Sequence, residues 1–270
     1  MRAEMREIVN LKIRLGELVD TKDFNVVQYL GDPLNAVKVL SSFDYAELSL
    51  FDISGRYGRV NGIDVQLINR LAKWCPIPMS YAGNIASVDD AISIIRCGIE
   101  KIALGQTWIN HPQLISDISR AIGSQSTSVI LNVISRSEAQ CHWAVATLQH
   151  GLIREHIPLT FDLIQSLVTL GAGELYINHV SRDGSREGLD RHLCDFLAKS
   201  SPVPVIIQGG ALETCVSYVQ SKAEYAGLSV ALSSTASLYG RSRACLPHCT
   251  KALKRAKSTE DRMSHNLFSN

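Results

Sequence analysis

The stretch Gly171–Asp190, GAGELYINHVSRDGSREGLD, decides the architecture. Glu174 opens an apolar run, Leu175-Tyr176-Ile177, which gives way to a polar loop, Ser181-Arg182-Asp183-Gly184-Ser185, before a helical pattern resumes near Leu189. This is a strand delivering a loop. Half a chain earlier Ala46-Glu47-Leu48-Ser49-Leu50-Phe51-Asp52 follows the same plan, a glutamate opening a strand that ends in an aspartate and a Gly/Arg-rich loop. The echo continues in register: 76–84 (PIPMSYAGN) matches 202–210 (PVPVIIQGG), and 102–107 (IALGQT) matches 230–235 (VALSST). Paired segments at a nearly constant offset make a long internal repeat, so the chain is two similar halves.

Bulk properties narrow the class. With 270 residues, 46% of them hydrophobic, the chain is long enough for one large α/β barrel or two modest domains. A net charge of +1 gives no field for drawing in nucleic acid or an acidic membrane, so a small anionic ligand held locally is expected instead. No run approaches the roughly 18 apolar residues of a membrane span. The N-terminus, MRAEMREIVNLKIRLG, carries charges where a signal peptide is apolar, and the expected location is the cytosol. The cysteines at 75, 97, 141, 194, 215, 245 and 249 are odd in number and lie mostly in apolar helical patterns, which predicts buried free thiols. Cys245, His248 and Cys249 cluster without a second pair of ligands, so no zinc site is expected, and no cofactor is called for.

In chain order, 8–15 reads as strand one, followed by a long polar loop that ends at Gly31-Asp32-Pro33. Asp32 is placed to cap the next helix with Pro33 at its first position, and Leu34, Val37, Val39 and Leu40 give that helix an apolar stripe. The pattern continues with strands at 46–52, 77–82, 100–105, 128–133, 174–180, 203–207 and 228–233. Helices are expected at 63–74, from Ser87, from Pro112, and at 160–170, 189–199, 211–221 and 235–257. The section 134–158 has no clear pattern. Strands alternating with helices across two halves indicate one closed parallel (β/α)8 TIM barrel over 1–257, with a polar tail at 258–270. An open doubly wound sheet is the competitor, but no strand is followed by its spaced three-glycine turn.

In such a barrel the loops after the strands form the active face. Gly83 and Asn84 with Gly105, Gln106 and Thr107 would make one cradle of backbone N–H groups. Asp183, Gly184, Gly209, Gly210, Ser234 and Thr235 would make a second, and the matched pair suggests a ligand with a phosphate at each end. Singly, each glycine is explained by a tight turn. At the opposite end Arg6, Glu47, Lys101 and Glu174 fall at or just before strand starts. They are expected to converge as a ring of alternating charge that closes the barrel floor.

These motifs resemble the cyclase subunit of imidazole glycerol phosphate synthase over about residues 6 to 245. The resemblance is carried by Tyr29-Leu30-Gly31-Asp32-Pro33, Ala46-Glu47-Leu48, Asp52, Val88-Asp89-Asp90-Ala91, His111-Pro112-Gln113-Leu114-Ile115, Gly123-Ser124-Gln125, Gly171-Ala172-Gly173-Glu174, Arg182-Asp183-Gly184 and Gly209-Gly210-Ala211. It implies a lyase or cyclase-type barrel that receives ammonia through its centre from a class I glutaminase at the N-terminal face. Arg6, Glu47, Lys101 and Glu174 then resemble the family's ammonia gate, and the two cradles its two phosphate sites.

The departures are equally specific. Lys12 stands at the family's strand-one acid/base aspartate, and Asn132 at its strand-five partner. The first-half glycine triplet is broken to Ala82-Gly83-Asn84, the strand-four Asn aligns with Gly105, and the phosphate-loop lysine expected after Val19 is Asp20. An amide cannot replace a carboxylate as a general base, and Lys12 is left as a base, a Schiff-base amine or a fixed charge. The loop from Leu18 to Pro33 resembles a second branch of the family, associated with surface-polysaccharide genes and amidine formation on a sugar acid. The reading is an ammonia-using subunit acting on a phosphorylated or acidic small molecule. Lys12, Asp52, Asn132 and Asp183 are its expected substrate contacts. Asp183 could equally cap helix six, and Asp52 could pair with Arg56 or Arg59. A catalytically silent barrel that activates a partner, and the orthodox histidine-pathway cyclase, are the alternatives.

Overall fold

The computed structural model describes residues 5–57, 62–136, 142–149, 152–233 and 237–238. In chain order the first half comprises β1 (Glu7–Arg14), β2 (Glu17–Lys22), β3 (Asn25–Gly31), α1 (Pro33–Leu40), β4 (Glu47–Asp52), α2 (Val65–Trp74), β5 (Met79–Ala82), α3 (Val88–Arg96), β6 (Lys101–Leu104), α4 (Thr107–Asn110) and α5 (Gln113–Ile122). The second comprises β7 (Thr127–Ser135), β8 (Trp143–Gln149), β9 (Leu152–Pro158), α6 (Phe161–Thr169), β10 (Glu174–His179), α7 (Arg191–Ser200), β11 (Val205–Gln208), α8 (Glu213–Gln220) and β12 (Leu228–Ser233).

Parallel pairing runs β1-β4-β5-β6-β7 and β10-β11-β12-β1. The β7–β10 ladder, from Ser128↔Glu174 to Val133↔His179, closes the cylinder. The expected (β/α)8 barrel is therefore observed, and the open sheet is excluded. The last helical region, expected at 235–257, falls almost entirely outside the described residues, as does the 258–270 tail.

Strand periodicity makes the two apolar layers. Ile8, Phe51, Ala82, Ala103, Ile130, Tyr176, Ile206 and Ala231 fill the interior. Intervening positions such as Val9, Leu48, Leu104, Val129, Ile177 and Leu232 join the larger core that also takes in the helices. Helix ends follow their local chemistry: the Asp32 side chain accepts from Asn35 N with Pro33 in the first turn, and Ser87 and Asp90 form a reciprocal capping box on α3. The α1 stripe is rotated from expectation, because Pro33, Ala36, Val37 and Leu40 are buried while Val39 is 49% exposed. Helix α7 is capped by Asp190, which corrects the alternative that Asp183 caps it. Of the cysteines among the described residues only Cys194 is buried; Cys75, Cys97 and Cys215 are half-buried, a correction to the expected buried set.

Two segments differ from the sequence reading in the same way. The expected polar loop after strand one is an antiparallel ribbon, β2–β3, running off β1 through Lys12↔Val19. The unpatterned 134–158 section carries a second ribbon, β8–β9, running off β7 through Val133↔Val145. Each follows the first barrel strand of its half, so the internal repeat extends to these appendages. The tight turn of the first ribbon puts Asp23 and Phe24 at φ 50° and 63°, where glycine or asparagine is the usual occupant. Burial of Phe24 with Val180 is what offsets that strain. No helix among the described residues is long and apolar enough to cross a membrane.

Candidate functional site

At the C-terminal mouth the first-half loops surround a cavity of about 350 Å³ lined by Asp52, Gly83, Asn84, Gly105, Gln106, Thr107 and Asn132. Gly83 has φ +139°, and a Cβ there would lie 2.5 Å from Asp52 O, so only glycine permits this crossing. Gly105 has open space on its cavity side. Asn132 is 5% exposed; its Oδ1 accepts from Asn178 Nδ2 at 3.1 Å, which leaves its own amide hydrogens as what it offers the cavity. Asp52 is half-buried, with Oδ1 accepting from Ser54 N at 2.9 Å and Oδ2 facing the Tyr81 hydroxyl at 3.4 Å. Burial first, then the Asp52 charge, pushes the Tyr81 phenol well above its ordinary range, so Tyr81 stays a neutral donor to this carboxylate. The side chains of Arg56 and Arg59 lie outside the described residues.

The second-half loops enclose about 20 Å³, between Asp183, Gly184, Gly209 and Gly210. Here the glycines admit the chain itself. A Cβ on Gly184 would lie 2.6 Å from Thr21 O, on Gly209 2.7 Å from His179 O, and on Gly210 2.5 Å from Gly188 O. Ser234 and Thr235, expected in this cradle, lie outside the described residues.

Lys12 and Asp183 are both buried, and they meet each other: Lys12 Nζ lies 2.5 Å from Asp183 Oδ1. Thr21 Oγ1 hydrogen-bonds Lys12 Nζ and donates to Asp183 Oδ2 at 2.5 Å, while Phe24 N donates to Asp183 Oδ2 at 3.1 Å. In this arrangement Lys12 Nζ is engaged by Asp183 and Thr21, and Lys12 does not line the first-half cavity. The four expected substrate contacts thus separate. Asp52 and Asn132 line one cavity, while Lys12 and Asp183 bolt the β2–β3 ribbon to the loop after β10.

At the N-terminal mouth the four expected charges do converge. Arg6 Nη1 is 2.7 Å from Glu47 Oε2, and Arg6 Nη2 contacts Glu174 Oε1. Lys101 Nζ lies 3.6 Å from Glu47 Oε2 and 3.3 Å from Glu174 Oε2. Each cation holds both carboxylates. Ser80 Oγ donates to Glu47 at 2.6 Å and Ser128 Oγ to Glu174 at 3.2 Å, so the desolvated anions have neutral donors as well.

Between the two mouths the interior is more polar than expected. Ser49 Oγ is 2.8 Å from Ser80 Oγ, and Asn10 Nδ2 donates to Tyr176 Oη at 3.1 Å and to Gln208 Oε1 at 2.9 Å. Sequence reasoning missed these groups, although the signal is there: Glu47-x-Ser49 and Ser128-x-Ile130-x-Asn132 put polar residues on the inward parity of their strands. Outside the wall, His179 Nε2 lies 3.2 Å from Ser135 Oγ and 3.5 Å from Asp190 Oδ2, and Trp143 Nε1 donates to Asp190 Oδ2 at 3.1 Å. Serine and aspartate approach the same ring nitrogen, so this is no nucleophile relay, which needs them on different nitrogens. Among the described residues no group of three or more His, Cys, Asp or Glu side chains is placed to hold a metal ion.

The family model described as histidine biosynthesis protein matches residues 8–231, the span of the cylinder from β1 to β12. The chain belongs to that family. Within it, the chain is 34% identical over 212 residues to the putative imidazole glycerol phosphate synthase subunit HisF of Leptospira interrogans, covering 76% of this chain and 80% of the relative. It is 32% identical over 206 residues to the imidazole glycerol phosphate synthase subunit HisF of Exiguobacterium sibiricum, again covering 76% and 80%. The family resemblance read from the motifs is correct, and the members it is similar to are named as synthase subunits.

Proposed function

We propose that this barrel is the synthase-type subunit of a glutamine amidotransferase complex. A class I glutaminase docks at the N-terminal mouth and releases ammonia into the cylinder, and the upper cavity adds that nitrogen to an acidic or phosphorylated small molecule. The observation that carries this reading is the closed Arg6–Glu47–Lys101–Glu174 ring, in which two cations each bridge two carboxylates at the floor. Hydrated ions must desolvate to pass such a ring, whereas neutral ammonia need not. Above the floor Ser80, Ser49, Asn10, Gln208 and Asn178 offer hydrogen-bond partners up to Asn132 at the cavity. Asp52 is the carboxylate available there for proton transfer, and Gly83, Asn84, Gly105, Gln106 and Thr107 are the backbone cradle for the anion.

Lys12 in place of an acid, and Asn132 in place of its partner, favour a nitrogen-transfer reaction other than imidazole ring closure. Amidine formation on a surface-polysaccharide sugar acid is the reaction we favour. The test mixes the purified chain with a class I glutaminase encoded in the same genome. A stable complex with stimulated glutamine hydrolysis is expected; no complex and no stimulation rules the reading out.

The Lys12–Asp183 ion pair favours a second reading, a barrel that activates its partner and performs no chemistry. Asp52→Ala and Asn132→Ala decide between the two in a pathway complementation assay: an enzyme loses product and a scaffold is indifferent. For the orthodox cyclase the test is rescue of a histidine-requiring bacterium that lacks its cyclase, and Lys12 and Asn132 in place of the family's two aspartates lead us to expect no rescue.

A further inference from the structure

We propose that Phe51 and Tyr176 form an inner gate, which closes the bore between the floor ring and the upper cavity, and that ammonia passes only when the two rings part. The inference deepens the functional reading above and rests on it for the identity of what passes.

Strand order decides where these residues meet. Around the closed cylinder β4 and β10 are four strands apart in either direction, so they face each other across the axis. Both side chains point inward, because they share the parity of Glu47 and Glu174 on their strands. Their ring centroids lie 4.8 Å apart, which is contact across the full width of the barrel. Ala82, Ala103 and Ala231 come to the same cluster from β5, β6 and β12, and their small side chains leave the room that the two rings take up.

Height along the axis sets what the pair separates. Tyr176 stands two residues above Glu174 of the floor ring and two below Asn178, whose amide donates to the cavity-lining Asn132. Phe51 itself lines the cavity, above Ser49 and Glu47 on its strand. Both rings are buried, and they lie between the two mouths.

The hydroxyl holds the gate shut. Tyr176 Oη accepts from Asn10 Nδ2 at 3.1 Å and donates to Gln208 Oε1 at 3.0 Å. Burial, the largest influence, pushes this phenol well above its ordinary range, so the hydroxyl keeps its proton for Gln208. A phenylalanine would fill the same space without these ties, whereas the tyrosine is latched to β1 and β11. Asn10 Oδ1 and Asn178 Oδ1 are buried without a hydrogen-bond partner among the described residues. A neutral N–H donor that passes the rings thus finds one acceptor beside the latch and one above it.

The first measurement uses the full chain alone with ring-labelled tyrosine, the Tyr176 signal being assigned by its loss in Tyr176→Phe. Relaxation dispersion is expected to show a minor state at Tyr176. Asn10→Ala removes one tie and is expected to raise that minor population at least about threefold. The second measurement is pathway complementation with the glutaminase present and either glutamine or excess ammonium chloride as nitrogen source. Tyr176→Trp overfills the bore and is expected to lower product on glutamine at least about tenfold. Excess ammonium supplies ammonia through the C-terminal mouth and is expected to restore that product, which a folding fault would not allow. A Tyr176 signal without exchange, an unchanged population in Asn10→Ala, or undiminished product from Tyr176→Trp on glutamine each overturns the inference. So does a Tyr176→Trp chain that is folded by circular dichroism and is not restored by ammonium; if that variant does not fold, the exchange measurement alone decides. Exchange at Tyr176 in a chain that forms no glutaminase complex removes only the functional reading, and a rigid Tyr176 in a chain that stimulates glutaminase removes only this inference.

Discussion

Lys12 sits in a place where water cannot screen it, and its Asp183 partner is equally dry. Removing the cation strands a buried anion, so Lys12→Met is expected to cost about 3–5 kcal/mol, read as a lower urea midpoint. Pairing it with Asp183→Leu is expected to recover part of that loss, because no uncompensated charge remains. Asp190 gives a pH signature. Burial pushes its carboxyl up, but hydrogen bonds from His179, Leu193 N and Trp143 outweigh burial and hold it well below the usual range. With the folded value depressed, this stabilisation is present above the unfolded value of about 4 and is lost as pH falls through the folded one. Asp190→Asn is therefore expected to destabilise the protein at pH 7 by about 1 kcal/mol, with the difference shrinking below pH ~4 in paired denaturation curves. Single residues were legible where their chemistry is local: Asp32 and Ser87 announced their caps. Lys12 was not, because its partner lies 171 positions away and no sequence window holds both.

The β2–β3 ribbon is held at its tip by Phe24, packed on Val180, and by the hydrogen bonds to Asp183. Truncation at Phe24 removes the contact that offsets its positive φ. Phe24→Ala is expected to release the ribbon locally, with amides of β2 and β3 exchanging faster while β10 and β11 keep their protection in hydrogen exchange. Barrel strands and helices could be read from the chain, because each buries a face and so carries a period. The ribbons could not. Glu17–Lys22 buries the adjacent Leu18 and Val19 and has Asp, Thr and Lys among its other positions, so no period of two is visible, and its turn uses Phe24 where a glycine would have marked a hairpin. The boundaries of α1 shifted its stripe for a related reason: Val39 is apolar yet faces solvent, and a single exposed valine is enough to misplace a short amphipathic pattern.

For the molecule as a whole, the repeat was the strongest signal in the sequence, and it placed Glu47 and Glu174 at equivalent strand starts so that both reach one floor. Their convergence with Arg6 and Lys101 needed only the assumption of a closed cylinder. Glu174→Gln leaves the two cations sharing one carboxylate, and it is expected to lower glutaminase stimulation by at least about tenfold while the chain keeps its fold by circular dichroism. The repeat holds at the level of the turns, since the matched Gly83 and Gly209 each let the chain cross the end of the preceding strand, at Asp52 O and His179 O, while the approach of Thr21 O to Gly184 was invisible in it. The second half also carries Trp143, whose indole N–H rests on the Asp190 carboxylate, whereas Trp74 lies at the surface over Lys38 and Trp108 is sealed behind β7 on the Ile130 carbonyl. Fluorescence from the three indoles should therefore contain one component whose colour and brightness respond to the Asp190 carboxylate and the His142 ring beside Trp143. The protein carries, without any dye, a lamp fixed at the foot of its second ribbon.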